Sequence, residues 1–97
     1  MRFLCTHSLP PGSLKPEQVR QVAEAMQKDP QIRGIRSFGN LTEGKIACVV
    51  EAPDKQTLAS WYQKMMMPYD TIVPIEFEGD RGNIRQEVVP QAVHAHA

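Results

Sequence analysis

Apolar positions along the chain fall into short alternating blocks separated by two stripes of helical period. Arg2 to Leu9 alternates loosely, with Phe3, Cys5 and His7 on one side and Leu4, Thr6 and Ser8 on the other. That is the period-two signature of a strand, and Pro10-Pro11-Gly12 stops it. Pro16 then stands where a helix would begin, and Glu17 puts an anion in its first turn, although Lys15 is a poor N-cap. Val19, Val22, Ala23 and Met26 form one apolar stripe, while Arg20, Gln21, Glu24, Gln27 and Lys28 face away. Asp29-Pro30 closes the helix, because the residue before a proline is pushed out of helical geometry.

A second strand is predicted over Ile32 to Phe38, weakened by Gly34, and Gly39 to Gly44 turn the chain. The stretch Glu43 to Asp54, EGKIACVVEAPD, holds the apolar run Ile46 to Val50 between turn signals. Such a run reads as a strand covered on both faces, in the middle of a sheet. Asp54 is a good N-cap for a second helix, whose stripe is Leu58, Trp61, Tyr62, Met65 and Met66, and Pro68 ends it. Thr71 to Phe77 is a last strand, with Val73, Ile75 and Phe77 on one face and Glu76 and Glu78 opposite. Pro74 cannot donate to a ladder, which makes this an edge strand. Beyond Gly79 the pattern dissolves into Asp80-Arg81-Gly82-Asn83, a Val88-Val89 patch and the Ala-rich end.

The order β-α-β-β-α-β predicts an α+β fold: a ferredoxin-like sandwich with a four-stranded antiparallel sheet and two helices on one face. The first and third strands are expected side by side in the middle and parallel to each other. Residues 1–78 form the domain and 79–97 a C-terminal extension. The second sheet face is left bare. With residues such as Phe3, Cys5 or Val49 on it, that face would expose too much apolar surface, so a second copy of the chain is expected to cover it.

Ninety-seven residues suffice for one core. Lys plus Arg and Asp plus Glu are 11 each, so formal net charge is zero. That balance removes the electrostatic case for nucleic acid or an anionic membrane as partner. No apolar run approaches bilayer length, and the chain opens on a strand rather than a signal peptide. Cys5 and Cys48 both sit in apolar strands without CxxC or Cys/His ligand spacing, which reads as reduced thiols in a cytoplasmic protein rather than a disulfide or redox pair.

The run GxLxPEQ at Gly12 to Gln18, the segment Val50-Glu51-Ala52-Pro53-Asp54 and the turn Met67-Pro68-Tyr69-Asp70 carry a resemblance. Over about residues 1–78 the chain resembles a small domain-of-unknown-function family typified by a nickel-binding bacterial protein, within the dimeric α/β-barrel group of ferredoxin-like folds. The resemblance implies a homodimer, a cytoplasmic bacterial setting and, in some members, a divalent metal such as nickel. It also implies two departures: Trp61 stands where members often carry a histidine, and His7 where the first strand is commonly acidic.

Parallel central strands would gather His7, Glu51 and Asp70 at one rim, with Arg33 adding a cation there. An imidazole with one or two carboxylates can hold a divalent metal or small ligand, or act as a general base with its orienting acid. The plainer alternative is a strand-end histidine with one hydrogen bond beside solvated carboxylates. Trp61, Tyr62 and Met65 to Met67 read as core, with Trp61, Tyr62 and Tyr69 rimming a pocket between sheet and helices. His94 and His96 form a weak HxH metal pair in the tail, against a plain solvated terminus. The acidic positions Glu76 to Glu87 fail as an EF-hand because Arg81 stands where glycine is required. The sequence thus favours a binding protein over two alternatives, a cofactor-free oxygenase or isomerase and a non-catalytic assembly module.

Overall fold

The computed structural model describes residues 1–86. Its elements are β1 (Arg2–Ser8), α1 (Pro16–Gln27), β2 (Arg33–Asn40), β3 (Lys45–Glu51), α2 (Lys55–Lys64), β4 (Thr71–Pro74), β5 (Phe77–Asp80) and β6 (Asn83–Gln86). The first four strands in space make one antiparallel sheet in the order β2-β3-β1-β4, and β5 and β6 make a separate two-stranded sheet. Among the described residues no helix is long and apolar enough to cross a membrane.

The covered run Ile46 to Val50 lies inside the sheet between β2 and β1, and β4 with Pro74 takes the edge, as their residue patterns require. The direction of the two central strands corrects the sequence reading. β1 and β3 are neighbours but antiparallel, in register from Arg2 opposite Glu51 to Ser8 opposite Lys45. The reason is topological. A helical crossover carries β1 into β2 in the same direction, and the hairpin at Gly44 then reverses the chain, so β3 must oppose β1.

One face of the sheet is packed and the other open. Phe3 and Cys5, expected on the bare face, are fully buried with Val50 and Ile72 beneath the helices, in one cluster with Met26, Leu58, Trp61 and Tyr62. The open face carries Leu4, Val49, Val73 and Phe38 instead. β4 stops at Pro74, so Ile75 turns inward while Val73 and Phe77 are exposed, and the three do not share a face.

The helices differ in how closely they dock. Asp54 caps α2 by accepting the Thr57 backbone N–H at 2.7 Å, and Leu58, Trp61 and Tyr62 are all buried. The helix ends before its expected stripe does. Met66 takes a left-handed conformation (φ 56) after the C-cap and is 89 % exposed. Helix α1 lacks a side-chain cap from Lys15, although Gln18 Oε1 accepts the Lys15 backbone N–H at 2.8 Å. Of its stripe only Met26 is buried. Met26 settles over Gly34, where a Cβ would lie 2.9 Å from its sulfur, and the β2 ladder slips by a bulge at the same place. The β5–β6 hairpin, absent from the sequence reading, turns on Arg81 and Gly82, both with positive φ, and Glu78 ties it to Arg2 at 2.8 Å.

Candidate functional site: a cleft beneath the first helix

His7 is a polar side chain buried in the core, 2 % exposed. Its parity on β1 sends it to the packed face with Phe3 and Cys5. Nδ1 lies 2.7 Å from the Pro68 carbonyl oxygen. A carbonyl only accepts, so Nδ1 is the protonated nitrogen and, in the neutral ring, Nε2 carries the lone pair. The Pro68 turn is itself fixed by the Met67 N–H donating to the Tyr62 carbonyl at 2.9 Å and the Asp70 N–H donating to the Thr6 carbonyl at 2.7 Å. Tyr62 meets the imidazole edge-on, centroids 4.9 Å apart. The ring is therefore held on two sides, an arrangement that presets a histidine for use at its other nitrogen. Nε2 itself makes no hydrogen bond among the described residues.

The space next to His7 follows from the way α1 docks. Anchored at Met26 and only half-buried along Val19 and Val22, the helix stands off the sheet and leaves a cleft of about 240 Å³. His7, Val19, Met26, Cys48, Tyr62 and Met67 are among its walls. Most of this surface is apolar, with a few polar atoms converging on it, the usual make-up of a small-ligand site. Ser37 Oγ donates to Cys48 Sγ at 3.4 Å. The Tyr62 hydroxyl is buried with no hydrogen-bond partner, and the Cys5 sulfur lies beside it. Burial pushes the Cys5 thiol up to about 11 and raises Cys48 and Tyr62 as well, so all three stay protonated at neutral pH.

The other residues expected at the site lie elsewhere. Glu51 is at the far end of the sheet from His7, opposite Arg2 and Arg33, with Arg2 Nε 3.8 Å from its carboxylate. Antiparallel pairing makes that separation unavoidable, and it takes Arg33 away from His7 too. Asp70 reaches the His7 end of β1, but its carboxylate accepts the Ser8 hydroxyl at 2.5 Å, and Ser8 points to the open face. Among the described residues His7 thus has no carboxylate beside it, neither as metal co-ligand nor as orienting acid. Among the described residues no three His, Cys, Asp or Glu side chains group to hold a metal. Tyr62 lines the cleft, whereas Trp61 and Tyr69 flank Tyr62 at 5.6 and 5.8 Å without lining it. His94 and His96 lie outside the described residues. The sequence reading missed Cys48 as a wall of the cleft, although its parity with Ile46 and Val50 on β3 assigns it to the packed face.

Neither the curated proteins nor the solved structures offer a match to this chain. The family model described as nickel responsive protein SCO4226-like matches residues 3–75, from β1 to just past β4. The match takes in His7, both cysteines and every wall of the cleft, and the chain belongs to the SCO4226-like nickel responsive protein family.

Proposed function

We propose that this protein is a cytoplasmic, homodimeric binding protein that takes a small ligand into the cleft beneath α1, with Nε2 of His7 as the polar anchor. One observation carries the reading: a buried imidazole is fixed through Nδ1 to Pro68 and leaves Nε2 unpartnered at the wall of an apolar cleft. Nε2 is not sealed from solvent, so a ligand offering an O–H or N–H takes the place of water on its lone pair. An uncharged, largely apolar molecule suits the remaining walls.

A divalent transition metal such as nickel is the second reading, favoured by the family description. Imidazole suits nickel, and the Pro68 carbonyl is the kind of support a metal-binding histidine uses. The described residues do not make a complete nickel site, because no three-donor group exists among them. His7 would be one ligand, and the rest of the shell would come from outside these side chains.

The strand order read from its other edge, β4-β1-β3-β2, supports a ferredoxin-like sandwich. A second copy over Leu4, Val49, Val73 and Phe38 would remove that apolar surface from water. Two free thiols accord with a reducing compartment.

Calorimetric titration with nickel(II), and separately with hexanol as an uncharged O–H probe, tests the cleft. Both proteins compared, with and without His7→Ala, carry His94→Ala and His96→Ala so that the tail pair cannot bind metal. At least a tenfold loss of affinity for one probe on removing His7 is expected. Equal affinity in both proteins for both probes rejects the reading, and a monomer in sedimentation at high concentration rejects the dimer.

A further inference from the structure

Cys5 and Cys48 are direct cross-strand partners on the packed face of the two central strands. The ends of that ladder fix its hydrogen-bonding phase: the Ala52 N–H donates to the Met1 carbonyl at 3.0 Å and the Leu9 N–H to the Gly44 carbonyl at 2.8 Å. Stepping by twos from either end makes Cys5 and Cys48 a hydrogen-bonded pair, in which Cα atoms stand about 5.5 Å apart and side chains leave side by side. Neither is in a disulfide. Cys48 lines the cleft, and the Tyr62 hydroxyl beside Cys5 is the one buried side-chain oxygen without a partner among the described residues.

We propose that Cys5 and Cys48 form a two-thiol site for trivalent arsenic hydroxide, entered from the cleft at Cys48, with side-chain motion on entry uncovering the buried Cys5 thiol and the Tyr62 hydroxyl, which then bonds the hydroxyl that arsenic retains. In this step two S–H and two As–O bonds break, two As–S bonds form, and the released protons and hydroxides leave as two waters. Arsenic stays trivalent, no electron is transferred, and reactants and product are all uncharged. That neutrality decides the ligand class. Both thiols sit where burial disfavours the thiolate, fully for Cys5 and in part for Cys48, so a cation needing two thiolates would have to strip two protons against that cost. Disulfide formation by a glutathione-sized oxidant needs a thiolate as well, and access for a reagent too large for a cleft of about 240 Å³.

The test uses the full chain and sodium arsenite. Native mass spectrometry is expected to show one arsenic per chain, displaced by excess dithiothreitol but not by an equal thiol concentration of 2-mercaptoethanol. Cys5→Ala and Cys48→Ala are each expected to weaken retention at least tenfold, and Tyr62→Phe roughly three- to tenfold. Should either alanine variant fail to fold, peptide mapping of the wild type serves. Arsenite must then protect both cysteines from alkylation during denaturation. No arsenic retained, equal retention in a single-thiol variant, or protection of one cysteine alone overturns the proposal.

Discussion

Tyr62→Phe is expected to stabilise the free protein. The ring is packed among His7, Trp61 and Tyr69, but its hydroxyl is buried and has no hydrogen-bond partner. An unpaired buried hydroxyl costs about 1–3 kcal/mol relative to solvated hydroxyl. The adjacent Cys5 sulfur returns little of this, since a thiol is a weak donor and acceptor. Removing the oxygen leaves a void on the order of 10 Å³, a loss of about 0.2 kcal/mol. The balance is a gain of about 1 kcal/mol, which for a chain this size raises the thermal midpoint by about 4–8 °C. Urea unfolding followed by circular dichroism measures it, with an unchanged m-value as the control for two-state behaviour. A loss of more than about 0.5 kcal/mol would refute the reasoning, because the hydroxyl would then be making a bond worth keeping. The same substitution is expected to weaken arsenite binding, so stability and ligand retention should move in opposite directions.

Gly44 sits at φ +75 with its would-be Cβ well inside contact distance of the Leu9 carbonyl. Gly44→Ala should therefore lower unfolding free energy by at least about 2 kcal/mol, and a change within about 0.5 kcal/mol would contradict that geometry. Asp54 accepts the Thr57 N–H, which holds its carboxyl below the ordinary value of 3.8. A depressed carboxyl stabilises the fold above its unfolded value and loses the effect as pH falls through the folded one. Asp54→Ala should thus show a smaller stability deficit in strong acid than at neutral pH, and a pH-independent deficit would be inconsistent with the cap. Because the Cys5 thiol is raised from 9.0 to about 11, iodoacetamide should modify it roughly 100-fold more slowly than an exposed thiol at neutral pH. Alkylation at an ordinary rate would show that this thiol is not buried.

Much of the fold was legible in local pattern. Alternation placed Phe3, Cys5 and His7 on one face of β1, the covered run Ile46 to Val50 marked a central strand, and Pro74 marked an edge. What alternation does not carry is direction. Direction is set by one crossover and one hairpin, which make β1 and β3 antiparallel and put Glu51 and Arg33 at the far end of the sheet from His7 rather than beside it. The cleft was hidden for a different reason. An apolar stripe such as Val19, Val22, Ala23 and Met26 states which side of α1 faces inward, not how close the helix comes, and that depends on Met26 meeting the bare backbone at Gly34. The β5–β6 hairpin escaped because Arg-Gly lacks the Asn or Asp that usually announces a turn with two positive φ angles, although Arg81 and Gly82 adopt one.

Binding in the cleft rests on which nitrogen of His7 is free. Long-range proton–nitrogen correlation spectra of the imidazole, recorded on the unliganded protein and again with ligand, report this directly. The expected result is an Nδ1–H tautomer with a bare Nε2, whose resonance moves when ligand binds. An Nε2–H tautomer, or an Nε2 resonance indifferent to every ligand that binds the protein, would contradict it.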